Sequence, residues 1–252
     1  MQGQPGVQVG AHVGSIDLSQ DDANDQIIAL KAASPKVRGV RYILDYVGPF
    51  DGKTATHVAT KRHGLDYLRD PVAAPKFERG FALLAEHKLS FDLQCAPEQL
   101  SAAVELFTRH PGVPVVLLHL GKPRLLKGDG SEEDQAKLAV WRDGLTRLAA
   151  LPHVSVKLSM LGYAVPGWHE SAEKEAFLKS LVLEVISLFG AERCMFASNF
   201  HINAACSDSD GQFASGPSVA ELYAKFNEWT SELSTQDRAN LFAGASRKFY
   251  RF

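Results

Sequence analysis

Short apolar runs alternate with longer segments of helical periodicity along the whole chain. Each run is apolar enough to be covered on both faces, as the strands of a parallel sheet are. Six runs predict strands, at residues 7–13, 39–44, 89–93, 113–119, 154–159 and 194–198. Strands that alternate with helices are typical of a parallel α/β fold.

The segments between these strands have recognisable helix ends. Pro97 begins one predicted helix, which runs to Arg109 with a single apolar face, and proline is favoured in a first helical turn. Another predicted helix runs from Glu173 to Phe189 and stops before Gly190, a residue suited to a C-cap. Apolar stripes of this kind predict helices that pack on a sheet.

Two long polar segments, residues 48–71 and 201–217, follow predicted strands. In a parallel barrel the segments that follow strands lie on the catalytic face, so we expect substrate loops here. The first segment contains His57 and His63, and the second contains His201. The spacing of these histidines matches no ligand pattern that would indicate a metal.

Polar residues alternate with apolar ones inside several predicted strands, as in the run from 154 to 159. Side chains alternate across a strand, so if the apolar set faces the helices, the polar set faces the barrel axis. This rule directs inward Arg41, Asp92, Gln94, Lys157, Ser159 and Asn199, with His119 at the end of its strand. Convergence of these side chains from five strands predicts an active site at one end of the barrel.

Composition narrows the function further. The 252 residues are 45% hydrophobic, and the net charge of -2 lacks the basic excess of a nucleic-acid-binding protein. No secretory signal or membrane-spanning run is visible. Cys95, Cys194 and Cys206 are widely spaced, without a pattern of disulfides or zinc ligands. We therefore expect a cytoplasmic protein with a small, anionic substrate and no nucleic-acid or membrane partner; a homo-oligomer is left open.

Short motifs in a consistent order resemble the amidohydrolase-related family, metallo-dependent-hydrolase-like proteins that include lactonases. The motifs span residues 38–41, 89–94, 97–100, 119–123, 156–159, 193–200 and 247–251. Residues 119–123, His-Leu-Gly-Lys-Pro, are similar to the family's His-x-Gly-x-Pro. The resemblance implies an α/β fold, a TIM (β/α)8-like barrel, as one domain over residues 1–252.

The resemblance also implies a reaction centre, made of a His-x-His pair on the first strand, a later histidine and an aspartate on the last strand. Some relatives bind a divalent metal there, and others need none. His119 matches the later histidine, but no His-x-His precedes residue 7, and Asn199 occupies the aspartate position. An amide cannot act as a general base. We expect a barrel that lacks the first one or two βα units and stays open between its first and last strands, with no metal cofactor.

These residues favour hydrolysis of a lactone or a similar carboxylic ester. Arg41 and Lys157 would hold a carboxylate or polarise the carbonyl, and His119 would orient or deprotonate water. Asp92 is either a second base or the ion-pair partner of Arg41. The other candidate substrate-binding residues are Gln94, Ser159, Trp168 and His201; for the last two, packing within a loop is the alternative.

Two other functions remain open. One is a catalytically impaired or non-catalytic relative, since the histidine pair and the last carboxylate are missing. The other is a decarboxylase on the same fold, which the resemblance disfavours because such relatives rely on a metal. Fold alone does not choose among these functions.

Overall fold

The computed structural model describes residues 9–48, 64–199 and 217–252. Within these residues, six parallel strands form one sheet whose order follows the chain. The strands are β1 (His12–Ser15), β2 (Val37–Ile43), β3 (Ser90–Gln94), β4 (Val115–Leu117), β5 (Val154–Leu158) and β6 (Cys194–Phe196). All six predicted strands are therefore present, and the α/β prediction is confirmed.

Helices follow the strands along the chain. They are α1 (Ala23–Ala33), α2 (Ala73–Glu86), α3 (Leu100–Arg109), α4 (Glu132–Ala149), α5 (Leu161–Ala164), α6 (Ala172–Phe189), α7 (Val219–Trp229), α8 (Thr235–Ala239) and α9 (Ala245–Tyr250). The predicted start at Pro97 is a 3-10 turn that leads into α3. The predicted end of α6 is confirmed, because Gly190 follows it with φ of 79°.

Most strand boundaries differ from the prediction by one or two residues, and the differences at β1 and β4 have a structural reason. β1 begins at His12, because residues 9–11 are not part of the strand, and the predicted start at residue 7 lies outside the described residues. The strand residues are partly exposed at the sheet edge, so hydrophobicity marks this strand poorly. The run predicted to 119 forms a strand only to Leu117. It stops there because a left-handed backbone conformation begins at His119, where φ is 58°.

The sheet packs on both faces. Its outer face joins the helices in a large apolar core that includes Phe81, Phe91 and Trp141. The inner face carries a smaller apolar cluster, formed by Val116, Leu118, Met195, Ala245 and Tyr250. The last two residues belong to α9, so this helix covers part of the inner face.

β1 and β6 lie at opposite edges of the sheet and do not pair with each other within the described ranges, as expected. No helix in this part of the chain is long and apolar enough to cross a membrane. Cys95 and Cys194 are buried thiols, and burial raises the pKa of both. Cys206 lies outside the described residues.

Candidate active site

The carboxyl ends of the parallel strands meet at one edge of the sheet, and polar side chains gather there. Arg41 and Asp92 are register neighbours on β2 and β3. A group that we call the inner cluster is connected through them and consists of Arg41, Asp45, Asp92, Gln94, Lys122, Lys157 and Tyr250. Four of the seven were predicted from strand parity: Arg41, Asp92, Gln94 and Lys157.

One half of the inner cluster is a chain of hydrogen bonds that crosses three strand ends. The Arg41 guanidinium donates to Gln94 Oε1, and Gln94 Nε2 donates to Asp45 Oδ2 over 3.1 Å. Lys122 Nζ donates to the same oxygen of Asp45. Asp45 and Lys122 are both buried, so their opposite charges hold the segments after β2 and β4 together.

The other half of the inner cluster surrounds Asp92. Its Oδ2 accepts hydrogen bonds from Lys157 Nζ at 2.8 Å and from the Tyr250 hydroxyl at 2.7 Å. The expected pairing of Asp92 with Arg41 is therefore only electrostatic, through neighbouring positions in the sheet. Lys157 keeps 21% of its side chain exposed, whereas Asp92 is buried.

His119 and Ser159 form a second polar contact at the same edge. His119 Nδ1 lies 3.0 Å from Ser159 Oγ, and both residues are buried. The ring either donates to the serine or accepts from it, depending on its tautomer. The contact therefore fixes the ring orientation and couples it to β5.

Burial and charge act against each other in the inner cluster. Burial lowers the pKa of Arg41, while the Asp92 and Asp45 carboxylates oppose that change. Burial also lowers the pKa of Lys122 to about 8, against the stabilising effect of Asp45. By formal charge, three cationic side chains face two carboxylates in the inner cluster, an excess of one positive charge.

The remaining predicted site residues do not join the inner cluster by any contact seen among the described residues. Asn199 follows β6 with φ of 49°, a conformation that asparagine tolerates better than most residues. Trp168 is 2% exposed, and its ring centroid lies 5.3 Å from that of Trp229. His201 lies outside the described residues.

Sequence reasoning missed Asp45, Lys122 and Tyr250. Lys122 lies in the His-Leu-Gly-Lys-Pro motif and Tyr250 in the motif of residues 247–251, so both were within recognised patterns. Asp45 lies two residues after the end of β2. Strand parity could not identify these residues, because all three lie outside the strands.

The described part of the chain contains no group of three or more His, Cys, Asp or Glu side chains arranged to hold a metal ion. A catalytic zinc usually has three such ligands. The described side chains by themselves supply no such set of three ligands. His57, His63 and His201 lie outside the described residues.

Comparison with known proteins identifies the family of the chain. The family model described as Amidohydrolase matches residues 3–252. The chain belongs to the amidohydrolase family. Membership confirms the resemblance, and the amidohydrolase family is a family of hydrolases.

Two curated relatives are similar to this chain. An L-fucono-1,5-lactonase from Burkholderia multivorans is 31% identical over 176 residues, which cover 69% of this chain and 55% of the relative. An uncharacterized protein, y4mH, from Sinorhizobium fredii is 31% identical over 187 residues, covering 73% and 55% respectively. The matches thus span about half the length of each relative.

Solved amidohydrolase structures have the same fold. A crystal structure of an amidohydrolase from Burkholderia multivorans with bound HEPES has a TM-score of 0.75 at 26% identity, covering 98% of this chain and 76% of that chain. One with bound zinc from the same organism has a TM-score of 0.71 at 26% identity, covering 97% and 74%. These neighbours are TIM barrels, so the six-stranded sheet has a TIM-barrel-like α/β fold.

Proposed function

We propose that this amidohydrolase hydrolyses a lactone or a similar carboxylic ester, with His119 as the group that handles the attacking water. The observation that carries the proposal is the position of the buried His119–Ser159 pair at the same sheet edge as the positively charged inner cluster. Similarity to a lactonase over 69% of the chain supports the same reaction class.

The excess positive charge suits the reaction. Attack of water on a lactone carbonyl produces a tetrahedral oxyanion, and ring opening produces a carboxylate. Preorganised cations lower the energy of such charge most effectively where water is largely excluded. Lys157 is the best placed cation, because it is partly exposed while its carboxylate partner is buried.

In the proposed reaction, the water oxygen adds to the carbonyl carbon while its proton passes to His119. The carbonyl oxygen becomes negative and is stabilised by Lys157 and Arg41. The ring C–O bond then breaks, and the leaving alkoxide takes the proton back from His119. Asp92 already accepts two hydrogen bonds on Oδ2, so we assign it to holding Lys157 rather than to deprotonating water.

The test is a panel of aldonolactones and aromatic lactones at substrate excess, with acid release followed by a pH indicator. We expect hydrolysis above the spontaneous rate, and a loss of about 10²-fold or more in kcat for His119→Asn, as for removal of a general base. His87→Asn is the matched control, because His87 is on α2's C-terminal end and contacts Asn24.

The alternatives give different results. A folded protein that hydrolyses no lactone of the panel supports the non-catalytic interpretation. Release of carbon dioxide from a carboxylated substrate would support a decarboxylase instead. Equal activity of wild type and His119→Asn would remove His119 from the mechanism.

A further inference from the structure

The backbone after β4 adopts a conformation that L residues rarely occupy. His119, Leu120, Gly121 and Lys122 have φ values of 58°, 58°, 70° and 59°. A left-handed residue other than glycine costs roughly 1–2 kcal/mol, less for histidine, and such conformations persist only where surrounding contacts enforce them. We call residues 119–122 the left-handed turn.

The middle of the left-handed turn is held by helix α4. Trp141 Nε1 donates a hydrogen bond of 2.8 Å to the carbonyl oxygen of Leu120, and Trp141 is fully buried. At Gly121 a Cβ atom would lie 2.8 Å from a side-chain carbon of Leu145. The close approach of α4 therefore both requires glycine in the turn and supplies its hydrogen bond.

The end of the left-handed turn is held by charge. Lys122 has a side chain that is 1% exposed, bonded to Asp45, with Nζ 5.2 Å from the ring centroid of Tyr163. Its backbone N–H donates to the carbonyl oxygen of His119 over 2.7 Å. A buried charge that is bound in this way cannot move without losing its partner, so it fixes the turn's exit.

We propose that Trp141 and Lys122 are positioning residues, which hold the left-handed turn and thereby fix the place of the His119 imidazole at the sheet edge. The proposal rests on the proposed function of His119. If the turn relaxed to right-handed geometry, the Cα–Cβ bond of His119 would rotate and its contact with Ser159 would be lost. A misplacement of about 1 Å can cost on the order of 10²-fold in rate.

The test uses Trp141→Phe, which removes the indole N–H and keeps a buried ring. Trp229→Phe is the matched control, since Trp229 is also buried and its Nε1 donates to Glu175 Oε1 over 3.1 Å. We expect kcat for a hydrolysed lactone to fall by about 10-fold or more in Trp141→Phe, with KM within about twofold. Trp229→Phe should lower the melting temperature without this loss of kcat.

A second measurement does not depend on the substrate. In protein labelled with ¹⁵N-histidine, the His119 signal is identified by its absence from His119→Asn. We expect the tautomer or the titration midpoint of His119 to change in Trp141→Phe and to stay constant in Trp229→Phe. A purely structural role of Trp141 would lower stability and leave this signal unchanged.

A double variant separates positioning from an independent effect. If Trp141 acts through His119, adding Trp141→Phe to His119→Asn should cost no further activity. Losses that multiply, or an unchanged His119 signal in Trp141→Phe, overturn the proposal. If the wild type hydrolyses no lactone, the proposed function fails, and the histidine signal still decides the role of Trp141. In Lys122→Met, the same His119 signal reports whether Lys122 holds the C-terminal end of the left-handed turn.

Discussion

Tyr250 on α9 donates a hydrogen bond of 2.7 Å to Asp92 Oδ2, the oxygen that also accepts from Lys157. The Lys157 ammonium lies 5.0 Å from the centroid of the same tyrosine ring. Burial and the neighbouring Asp92 raise the pKa of Tyr250 well above its ordinary value, so its hydroxyl keeps the proton that it donates. Tyr250, which is remote from Asp92 in sequence, thus stabilises the Asp92–Lys157 pair on the inner face of the sheet.

Replacing Tyr250 with phenylalanine tests this support. Tyr250→Phe keeps the ring beside Lys157 but removes one of the two donors to Asp92. We expect a loss of about 1.5–3 kcal/mol in the free energy of unfolding, as for a hydrogen bond to a charged group. The remaining carboxylate charge should hold Lys157 more tightly, so KM should rise several-fold. Urea unfolding and steady-state kinetics measure the two effects.

Tyr67→Phe is the control for that variant. It removes a hydroxyl that donates to Asp17 over 3.1 Å, and Asp17 still accepts from Ser19, Gln20 and Tyr42. Its effect on stability should be smaller. Equal stability of Tyr250→Phe and wild type would show that the Asp92 contact contributes nothing.

Strand parity could be read from the sequence because it is a local property. Alternation in β5 directs Lys157 inward, and the same rule holds for Arg41 and Asp92. These predictions needed only the period of a strand and an apolar outer face.

The partners of these side chains could not be predicted in the same way. Strand parity directs both Arg41 and Lys157 inward, so the sequence alone does not say which of these cations pairs with Asp92. The tyrosine that donates to Asp92 is 158 positions away in the chain. The left-handed turn after β4 accepts a hydrogen bond from Trp141, which lies on helix α4. Such contacts follow from the packing of distant segments, so local patterns do not contain them.

Lys122 predicts a pH dependence of activity. Burial lowers its pKa from 10.5 to about 8 despite the attraction of Asp45. As Lys122 loses its proton, the inner cluster loses one positive charge and Asp45 loses its charged partner. We expect kcat/KM to fall above a pH of about 8, and this descending limb to be absent from the residual activity of Lys122→Met.

The same shift predicts the pH dependence of stability. Between pH 8 and 10.5 the unfolded chain binds a proton at Lys122 that the folded chain has lost. Stability contributed by this group therefore rises with pH across that window. Urea unfolding should show that the free energy of unfolding of the wild type increases relative to that of Lys122→Met as the pH rises through this window. A constant difference would contradict the lowered pKa.

The ion pair between Glu78 and Arg109 leads us to expect a loss of stability in acid that does not affect activity at neutral pH. It joins α2 to the end of α3 by accepting from Arg109 Nε and Nη2, both at 2.7 Å. The Arg109 hydrogen bonds lower the pKa of Glu78 from 4.5 to about 2, so its contribution is complete above pH 4.5 and disappears as the pH falls to about 2. Because the pair is partly exposed, we expect about 1 kcal/mol.

The measurement compares wild type with Glu78→Gln by urea unfolding at several pH values. The difference should shrink between pH 4.5 and 2, while lactone hydrolysis at neutral pH stays equal in both proteins. If the difference in the free energy of unfolding does not change with pH, the effect of Glu78→Gln comes from packing rather than from the ion pair.

Asn199 lies three residues after the end of β6, at the position where the family resemblance implies an aspartate. Its φ of 49° is accessible to aspartate as well as to asparagine, so Asn199→Asp should fit the backbone. The change introduces a titratable carboxylate at the sheet edge that carries His119. In the proposed mechanism His119 already takes the proton from water, so a second base should raise kcat only modestly, well below the roughly 10²–10⁴-fold that a general base contributes where none is present.

The pH profile distinguishes a new base from a general change in the site. A gain that appears only above the pKa of a carboxyl group, about 4 for an unperturbed aspartate, indicates that Asp at 199 removes the proton from water. Asn199→Ser is the control, because it changes the same side chain without adding a base, and it should show no gain. If the aspartate variant is slower than the wild type at every pH, the amide has an orienting role. His119 then remains the group that takes the proton, and Asn199→Ser should also be slower.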